Sequence, residues 1–347
     1  MKAVVLAGVR TVAWRDWPEP ALERGDDVLL RTAVAGLCGS DLHYYVTDCV
    51  GGEKVVYPAV AGHECSAVVE AVGPAVARVR PGDRVAVEPA ISCGTCDQCR
   101  AGRLNTCRTV GFLGHPGEKD GCFGELFVMP ERNCVPLPAA VTMTEAMLAE
   151  PLSIALHAHS LSGRHGLGSI AVLGTGPIGL CLVLAAKARG AASIFATDRS
   201  DARAKAAVRA GAGWSSNPGR EDVVAAIRTR CPLGPDAVFE VSGDPEALDQ
   251  AVELVKPGGV IVQVGIPLEE RSGLRYRILR RKEIGVQHIR RQNHCLEPAL
   301  DLIAARSLDV AWLATHAFTP ERAAEAFDVA AGRRDGVLKA SIVFSGR

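Results

Sequence analysis

From the N-terminus to about Leu148, apolar positions fall in short runs of strand length. Ala3–Ala7 is a continuous apolar run, while Asp27–Val34, Ser66–Val72 and Arg84–Val87 alternate apolar and polar residues. Turn signals such as Gly73-Pro74 and Pro81-Gly82-Asp83 separate them. Period-two runs punctuated by Gly and Pro predict mostly antiparallel β-structure. The texture changes near Glu150. Ser169–Leu173 is a continuous apolar strand that runs into Gly174-Thr-Gly-Pro-Ile-Gly179 and an Ala-rich helical stretch to Arg189. Ser193–Thr197 is the next strand, with helical positions to Ala210. Ala237–Val241 and Val260–Val264 follow as strands, with a helix over Pro245–Val255 between them. Strand–helix alternation of this kind builds right-handed βαβ units and a parallel, doubly wound sheet. Pro298–Arg306 and Pro320–Ala331 predict helices and Lys339–Phe344 a last strand, a tail expected to return to the β-rich part. The expected organisation is α/β: a catalytic β-domain over residues 1–148, completed by 287–347, with a dinucleotide-binding domain over 149–286 inserted.

Composition narrows the function. The 347 residues suit two domains, and 48% hydrophobic residues allow a sizeable core. Net charge is zero and no basic block stands out, which argues against a nucleic-acid partner. No run approaches the ~18 apolar residues of a membrane span, and Ala3–Ala7 is too short for a signal-peptide core. A soluble, cytoplasmic protein is expected. Its twelve cysteines then argue for metal rather than a disulfide framework.

Three constellations carry chemistry. Cys93, Cys96, Cys99 and Cys107 stand at a spacing that suits a closed tetrahedral zinc site with no position left for water, hence a structural one. The remaining seven, Cys49, Cys65, Cys122, Cys134, Cys181, Cys231 and Cys295, read as core or incidental thiols, with Cys38 considered below. Gly174-x-Gly176-Pro177-Ile178-Gly179 follows a strand and opens a helix, and Asp198 stands nineteen residues after the third glycine, at the end of the next strand. That context marks a dinucleotide site: the glycines permit the tight turn, backbone approach to the pyrophosphate and helix–strand packing, and the helix N-terminus faces the phosphates. Asp198 can accept from both ribose hydroxyls and repels a 2′-phosphate, which favours NAD over NADP. Arg199 directly follows and could bind that phosphate, and Asp198 could also be an ordinary helix cap. The third constellation is scattered: Gly36-Leu-Cys38-Gly-Ser40-Asp-Leu-His43, Gly62-His63-Glu64 and Glu150-Pro151. A Cys, a His and carboxylates could hold a zinc with an open position. Spacing alone does not join residues so far apart.

Together these motifs resemble the zinc-containing medium-chain dehydrogenases, most closely the sorbitol, xylitol and related polyol branch. The resemblance covers essentially the whole chain. It implies a GroES-like β-rich catalytic domain plus a Rossmann domain and two zinc ions per chain. Cys38, His63 and Glu64 would surround the catalytic zinc, with Glu150 beside it as a ligand, through water or against substrate. Many alcohol dehydrogenases have a cysteine where this chain has Glu150. The family's proton relay maps onto Ser40 and His43, its cofactor contacts onto Ile178, Asp198, Arg203, Val264, Gly265 and Ile266, and the stretch His288-Ile289-Arg290 joins them. Polyol contacts map onto Tyr44 and Arg290, with Phe112 and His115 shaping the pocket. Arg291 stands where relatives often carry an aromatic. The implied reaction is reversible oxidation of a secondary hydroxyl of a polyol of the sorbitol, xylitol or iditol kind to a ketose, by hydride transfer to C4 of the nicotinamide. A homo-oligomer, tetramer or dimer, is expected. Another secondary alcohol such as threonine or butanediol is the alternative substrate. A non-catalytic binding protein on this fold, or a zinc-free reductase, would lack the ligands that Cys38, His63, Glu64 and Glu150 supply.

Overall fold

The computed structural model describes residues 1–50, 53–163, 165, 168–267 and 273–344. It divides into two compact units, Met1–Glu150 with Leu296–Arg347, and Pro151–Cys295. The second crossing lies nine residues beyond the expected 286/287, because the strand Gly285–His288 pairs in parallel with Val260–Gln263 and extends the inserted sheet.

The first unit is built on one sheet. Its order is Cys134–Pro136, Arg84–Val87, Glu64–Val72, Asp27–Gly36, Lys339–Val343 and Ala314–Phe318, with Leu126–Pro130 also paired to Asp27–Gly36. The tail strand Lys339–Val343 runs antiparallel to Asp27–Gly36, with Ser341 opposite Gly36. On the other side Gly36 faces Glu64. One glycine thus separates residues from the two ends of the chain. Leu30, Phe123, Met129, Phe327 and Ile342 are among the side chains of the core over this sheet. Glu64 is itself the first residue of a strand, two positions earlier than the alternation from Ser66 predicted.

The second unit is a six-stranded parallel sheet. Numbered in chain order as Ser169–Leu173, Ser193–Thr197, Trp214–Ser216, Ala237–Glu240, Val260–Gln263 and Gly285–His288, the strands lie in the order 3-2-1-4-5-6. This is the doubly wound dinucleotide-binding order, with its crevice where the order reverses, between the first and fourth strands. The third and sixth strands were not evident from the sequence. Of the long helix Met143–Leu161, the sequence marks only the stretch of His157 and His159 as helical; its early and late positions are buried alike and it carries Pro151 in its interior. Among the described residues, no helix is long and apolar enough to cross a membrane.

Candidate active site and metal centres

The helix Gly39–Val46 starts beside the sheet end formed by Gly36 and Glu64, with Cys38 as its N-cap. Asp41, at the third helical position, accepts the Cys38 backbone N–H at 2.9 Å and the Gly62 N–H at 3.3 Å, and its carboxylate lies 3.7 Å from His63 Nδ1. Asp41 is fully buried and ties the two halves of the site together. Gly62 has φ of +93°, and a Cβ there would fall 2.7 Å from the Phe123 ring, so only glycine delivers His63 and Glu64 by this path. The result is that ligand atoms of Cys38, His63 and Glu64 all lie within 4.8 Å of one another. His63 Nδ1 is buried without a hydrogen-bond partner. Glu150 is not in that group of ligand atoms, but it is buried and within electrostatic reach of Glu64, His63 and Cys38.

The electrostatics of this cluster suit a divalent cation. Burial, then the Glu64 carboxylate, pushes the Cys38 thiol up to about 12. Burial, then Glu64, holds Glu150 well above the usual carboxylate range, and burial raises Asp41 as well. A buried site with this many acidic groups disfavours its own negative charges until positive charge arrives. Part of it is built in: Lys339, 2% exposed, forms an ion pair with Glu64, 1% exposed, and donates to the Leu37 carbonyl at 3.0 Å. Burial alone would depress Lys339, but Glu64 and Cys38 carry it above the ordinary lysine value. Ser40 hydrogen-bonds the Cys38 side chain. His43, one turn further, is half-buried, and burial lowers its pKa. Around them the Phe112 ring lies 5.0 Å from that of His63, and Tyr44 meets His115 edge-on at 6.0 Å.

In the cysteine lobe the four Sγ atoms again lie within 4.8 Å of one another, and none is in a disulfide. Sulfur pairs stand 3.9 Å (Cys93–Cys99), 3.6 Å (Cys96–Cys99) and 3.9 Å (Cys96–Cys107) apart. Four sulfurs each about 2.3 Å from one zinc ion form a tetrahedron with edges of about 3.8 Å, so the residues fit that ion. Backbone donors prepare the thiolates: the Thr95 N–H and hydroxyl, then the Cys96 N–H, pull Cys93 down to about 5. The Arg108 N–H lowers Cys96. Burial pushes Cys99 up to about 11.

In the second unit, Gly174 has φ of +98° and would bring a Cβ within 2.9 Å of Ser242 N, while a Cβ on Gly179 would strike the Gly174 carbonyl oxygen at 2.0 Å. Gly176 caps the helix Pro177–Ala188, and a Cβ there would meet nothing nearer than Arg203 Nη1 at 3.6 Å, so the helix N-terminus is open to a ligand. Asp198 follows its strand directly. One carboxylate oxygen accepts the Thr175 N–H and the other the Ser200 N–H, both at 2.8 Å. Arg199 is held by Asp244 at 2.8 Å and Glu246 at 2.9 Å. The Val264 and Gly265 N–H groups donate to the Glu240 carbonyl, and Ile266 is exposed. His288 ends the edge strand, the Ile289 N–H donates to the Gln263 carbonyl, and Arg290 is exposed.

Sequence reasoning missed Asp41, Lys339 and Glu240. Asp41 lay inside the quoted Gly36–His43 block without a role. Lys339 had one visible signal, a charged residue at the start of the run Ala340–Phe344, which is apolar but for Ser341. Glu240 ends a strand, and its Oε1 accepts from Ser242 N, Ser242 Oγ and Gly243 N, bracing the turn that follows.

The chemistry these units support is that of a metal- and dinucleotide-dependent oxidoreductase. Comparison with known proteins agrees. Residues 24–139 match the alcohol dehydrogenase GroES-like domain and residues 177–305 the zinc-binding dehydrogenase domain. The chain is 34% identical to sorbitol dehydrogenase of Bacillus subtilis over 99% of its own length and 97% of the relative's. It is 33% identical to D-xylulose reductase A of Aspergillus niger, over 97% and 96%. The solved structure of alcohol dehydrogenase TADH from Thermus sp. ATN1 superposes with a TM-score of 0.90 at 31% identity, covering 99% of each chain. The chain belongs to the zinc-containing medium-chain dehydrogenase family, in its polyol dehydrogenase-like branch. It is an enzyme, a zinc-dependent polyol or alcohol dehydrogenase that uses a nicotinamide cofactor on a small-molecule substrate.

Proposed function

We propose that the enzyme oxidises a secondary hydroxyl of a polyol to a ketose, passing a hydride to C4 of NAD and releasing one proton. The observation that carries this reading is the group of half-buried Cys38 with buried His63 and Glu64, with Glu150 in its field. Cys38, His63 and Glu64 are assigned to the catalytic zinc, and Cys93, Cys96, Cys99 and Cys107 to a structural one. When bound, the catalytic zinc supplies Lewis acidity that lowers the pKa of the substrate hydroxyl. Glu150 is a carboxylate where many alcohol dehydrogenases have a thiolate. It adds a second carboxylate, as ligand or acceptor, suited to a substrate rich in hydroxyls. The names of two relatives, sorbitol dehydrogenase and D-xylulose reductase A, support a polyol.

Each residue has a defined task. Ser40 accepts the hydroxyl proton and passes it towards His43, which burial keeps neutral and able to receive it. Tyr44, Phe112 and Arg290 contact the polyol. Gly174, Gly176, Pro177, Ile178 and Gly179 seat the pyrophosphate, with Arg203 beside Gly176. Val264, Gly265, Ile266, His288 and Ile289 border the rest of the cofactor. Asp198 takes the adenosine ribose, and the engagement of Arg199 by Asp244 and Glu246 favours NAD over NADP. The exposed apolar side chains of Leu274 and Tyr276 support a homo-oligomer, dimer or tetramer.

The test is NADH and NADPH formation over a panel of four- to six-carbon polyols, with threonine and butanediol alongside. Polyols with NAD should give the highest kcat/KM. Faster turnover of threonine or butanediol would replace the substrate class. Ser40→Ala should lower kcat with zinc content unchanged, and undiminished kcat would remove Ser40 from the proton path.

A further inference from the structure

Lys339 is drawn into the proposed catalytic site by strand register. Gly36 faces Glu64 on one side and Ser341 on the other, and Lys339 stands two residues before Ser341, on the same face of its strand. A Cβ on Gly36 would lie 2.6 Å from Glu64 Oε2 and 3.2 Å from Lys339 Cε. The bare glycine therefore leaves the channel through which the lysine side chain crosses a whole strand to reach the carboxylate. Its ammonium is shared between Glu64 and the Leu37 carbonyl, the residue before Cys38. Both partners are almost wholly buried, so the pair is screened little by solvent.

We propose that Lys339 competes with the catalytic cation for the Glu64 carboxylate and thereby sets how tightly the Cys38–His63–Glu64 site holds its metal. The inference rests on the assignment of that site to a metal. Two physical effects point the same way. The ammonium repels a divalent cation a few ångströms away through a poorly screened interior. It also stabilises Glu64 in the metal-free protein, where an unpaired buried carboxylate would be costly. Removing the lysine strips both effects and leaves the cation as the only strong partner of Glu64. Lys339 is thus a positioning residue that weakens the metal's hold and keeps Glu64 an exchangeable ligand.

The experiment uses the full-length enzyme, with metal content measured by elemental analysis and affinity by competition against a chromophoric chelator. The absorption spectrum of the cobalt-substituted enzyme reads the ligand set independently of turnover. Lys339→Met should tighten the chelator-accessible site at least tenfold and shift the cobalt spectrum. Lys339→Arg keeps the charge, and therefore the fold where the methionine variant fails to fold. Its guanidinium grips both carboxylate oxygens, so it should bind metal no more tightly than the parent. In the Glu64→Gln background, Lys339→Met should tighten binding by threefold or less, since the contested carboxylate is gone. Three results would overturn the proposal: parental or weaker affinity in a folded Lys339→Met enzyme, tenfold tightening in Lys339→Arg, or equal tightening with and without Glu64. Cys38→Ser separates this from the underlying assignment. Unchanged metal content in Cys38→Ser sinks the metal site itself, whereas loss of one equivalent there with unchanged affinity in Lys339→Met sinks only the role of Lys339.

Discussion

Replacing Asp198 with alanine separates two jobs that one carboxylate does in the proposed cofactor site. The first is internal: it accepts the Thr175 N–H of the glycine-rich turn and the Ser200 N–H at the next helix, each at 2.8 Å, and it is 7% exposed. A hydrogen bond to a charged group contributes about 1.5–3 kcal/mol. The two bonds share one side chain and are not independent, so the low end, about 3 kcal/mol together, is the working figure. That corresponds to a fall in Tm of about 6–12 °C for a unit of this size. The second job is external. Loss of charged hydrogen bonds to the ribose, again about 1.5–3 kcal/mol, weakens NAD binding about 10- to 100-fold. NADP should suffer less, because the carboxylate that opposes its 2′-phosphate has gone while Arg199 stays paired to Asp244 and Glu246. The assays are calorimetry on the free enzyme and titration of NADH and NADPH by nucleotide fluorescence. A large fall in Tm with NADH affinity changed less than threefold would refute the ribose role and leave Asp198 as a structural cap alone.

Three further outcomes are expected. Cys107→Ser should cost one zinc equivalent per chain and lower Tm, with turnover at low temperature largely kept; unchanged zinc content would refute a closed four-thiolate site. Gly36→Ala places a methyl 2.6 Å from both Glu64 Oε2 and Met147 Sδ, so it should destabilise the fold by about 1–3 kcal/mol and lower kcat, both read by denaturant titration and steady-state kinetics. Burial lowers the His43 pKa, so the folded state binds fewer protons there than the unfolded chain. Stability from this group is therefore present above about 6.5 and falls as pH drops through the region beneath it. The acid limb of kcat for alcohol oxidation should likewise have its midpoint below about 6.5 and should disappear in His43→Asn; a midpoint above that value would argue against His43 as the acceptor.

The two proposed metal centres are prepared in opposite ways, and the difference follows from their surroundings. In the lobe, backbone N–H groups of Thr95, Cys96 and Arg108 stabilise negative sulfur, so Cys93 and Cys96 favour the thiolate. In the other centre, burial works against negative charge at Cys38, Asp41 and Glu150, and all three shift upward. A structural ion gains where part of its ligand set is already deprotonated, as at Cys93 and Cys96, because less proton release opposes binding. Burial nonetheless holds Cys99 up in the lobe as it holds Cys38 up in the other centre. A catalytic ion gains from a site whose negative charge is partly offset without it, because substrate must be able to enter and leave its coordination sphere. The Glu64–Lys339 pair supplies that partial offset.

How far the chain could be read depended on whether each feature is local. The Cys93–Cys107 lobe and the Gly174–Gly179 turn with Asp198 are encoded within short windows, where spacing alone implies geometry. The strands Ser169–Leu173, Ser193–Thr197 and Val260–Gln263 were legible for the same reason, as buried parallel strands are continuous apolar runs. Trp214–Ser216 and Gly285–His288 were not, being short edge strands with few apolar side chains. The helix Met143–Leu161 was legible only around His157 and His159, because it is buried nearly all round and so shows no amphipathic period, and because Pro151 reads as a break. The Cys38–His63–Glu64 group is the opposite case. No window contains it, and family resemblance was needed to join its parts. Lys339 lies 275 residues beyond Glu64, and resemblance did not point to it either. Only the pairing of the last strand against Asp27–Gly36, with a glycine at the crossing point, brings its charge to the site. A charged residue at the head of a largely apolar, buried terminal strand is the trace such an arrangement leaves, since an unpaired lysine there would be expelled from the core.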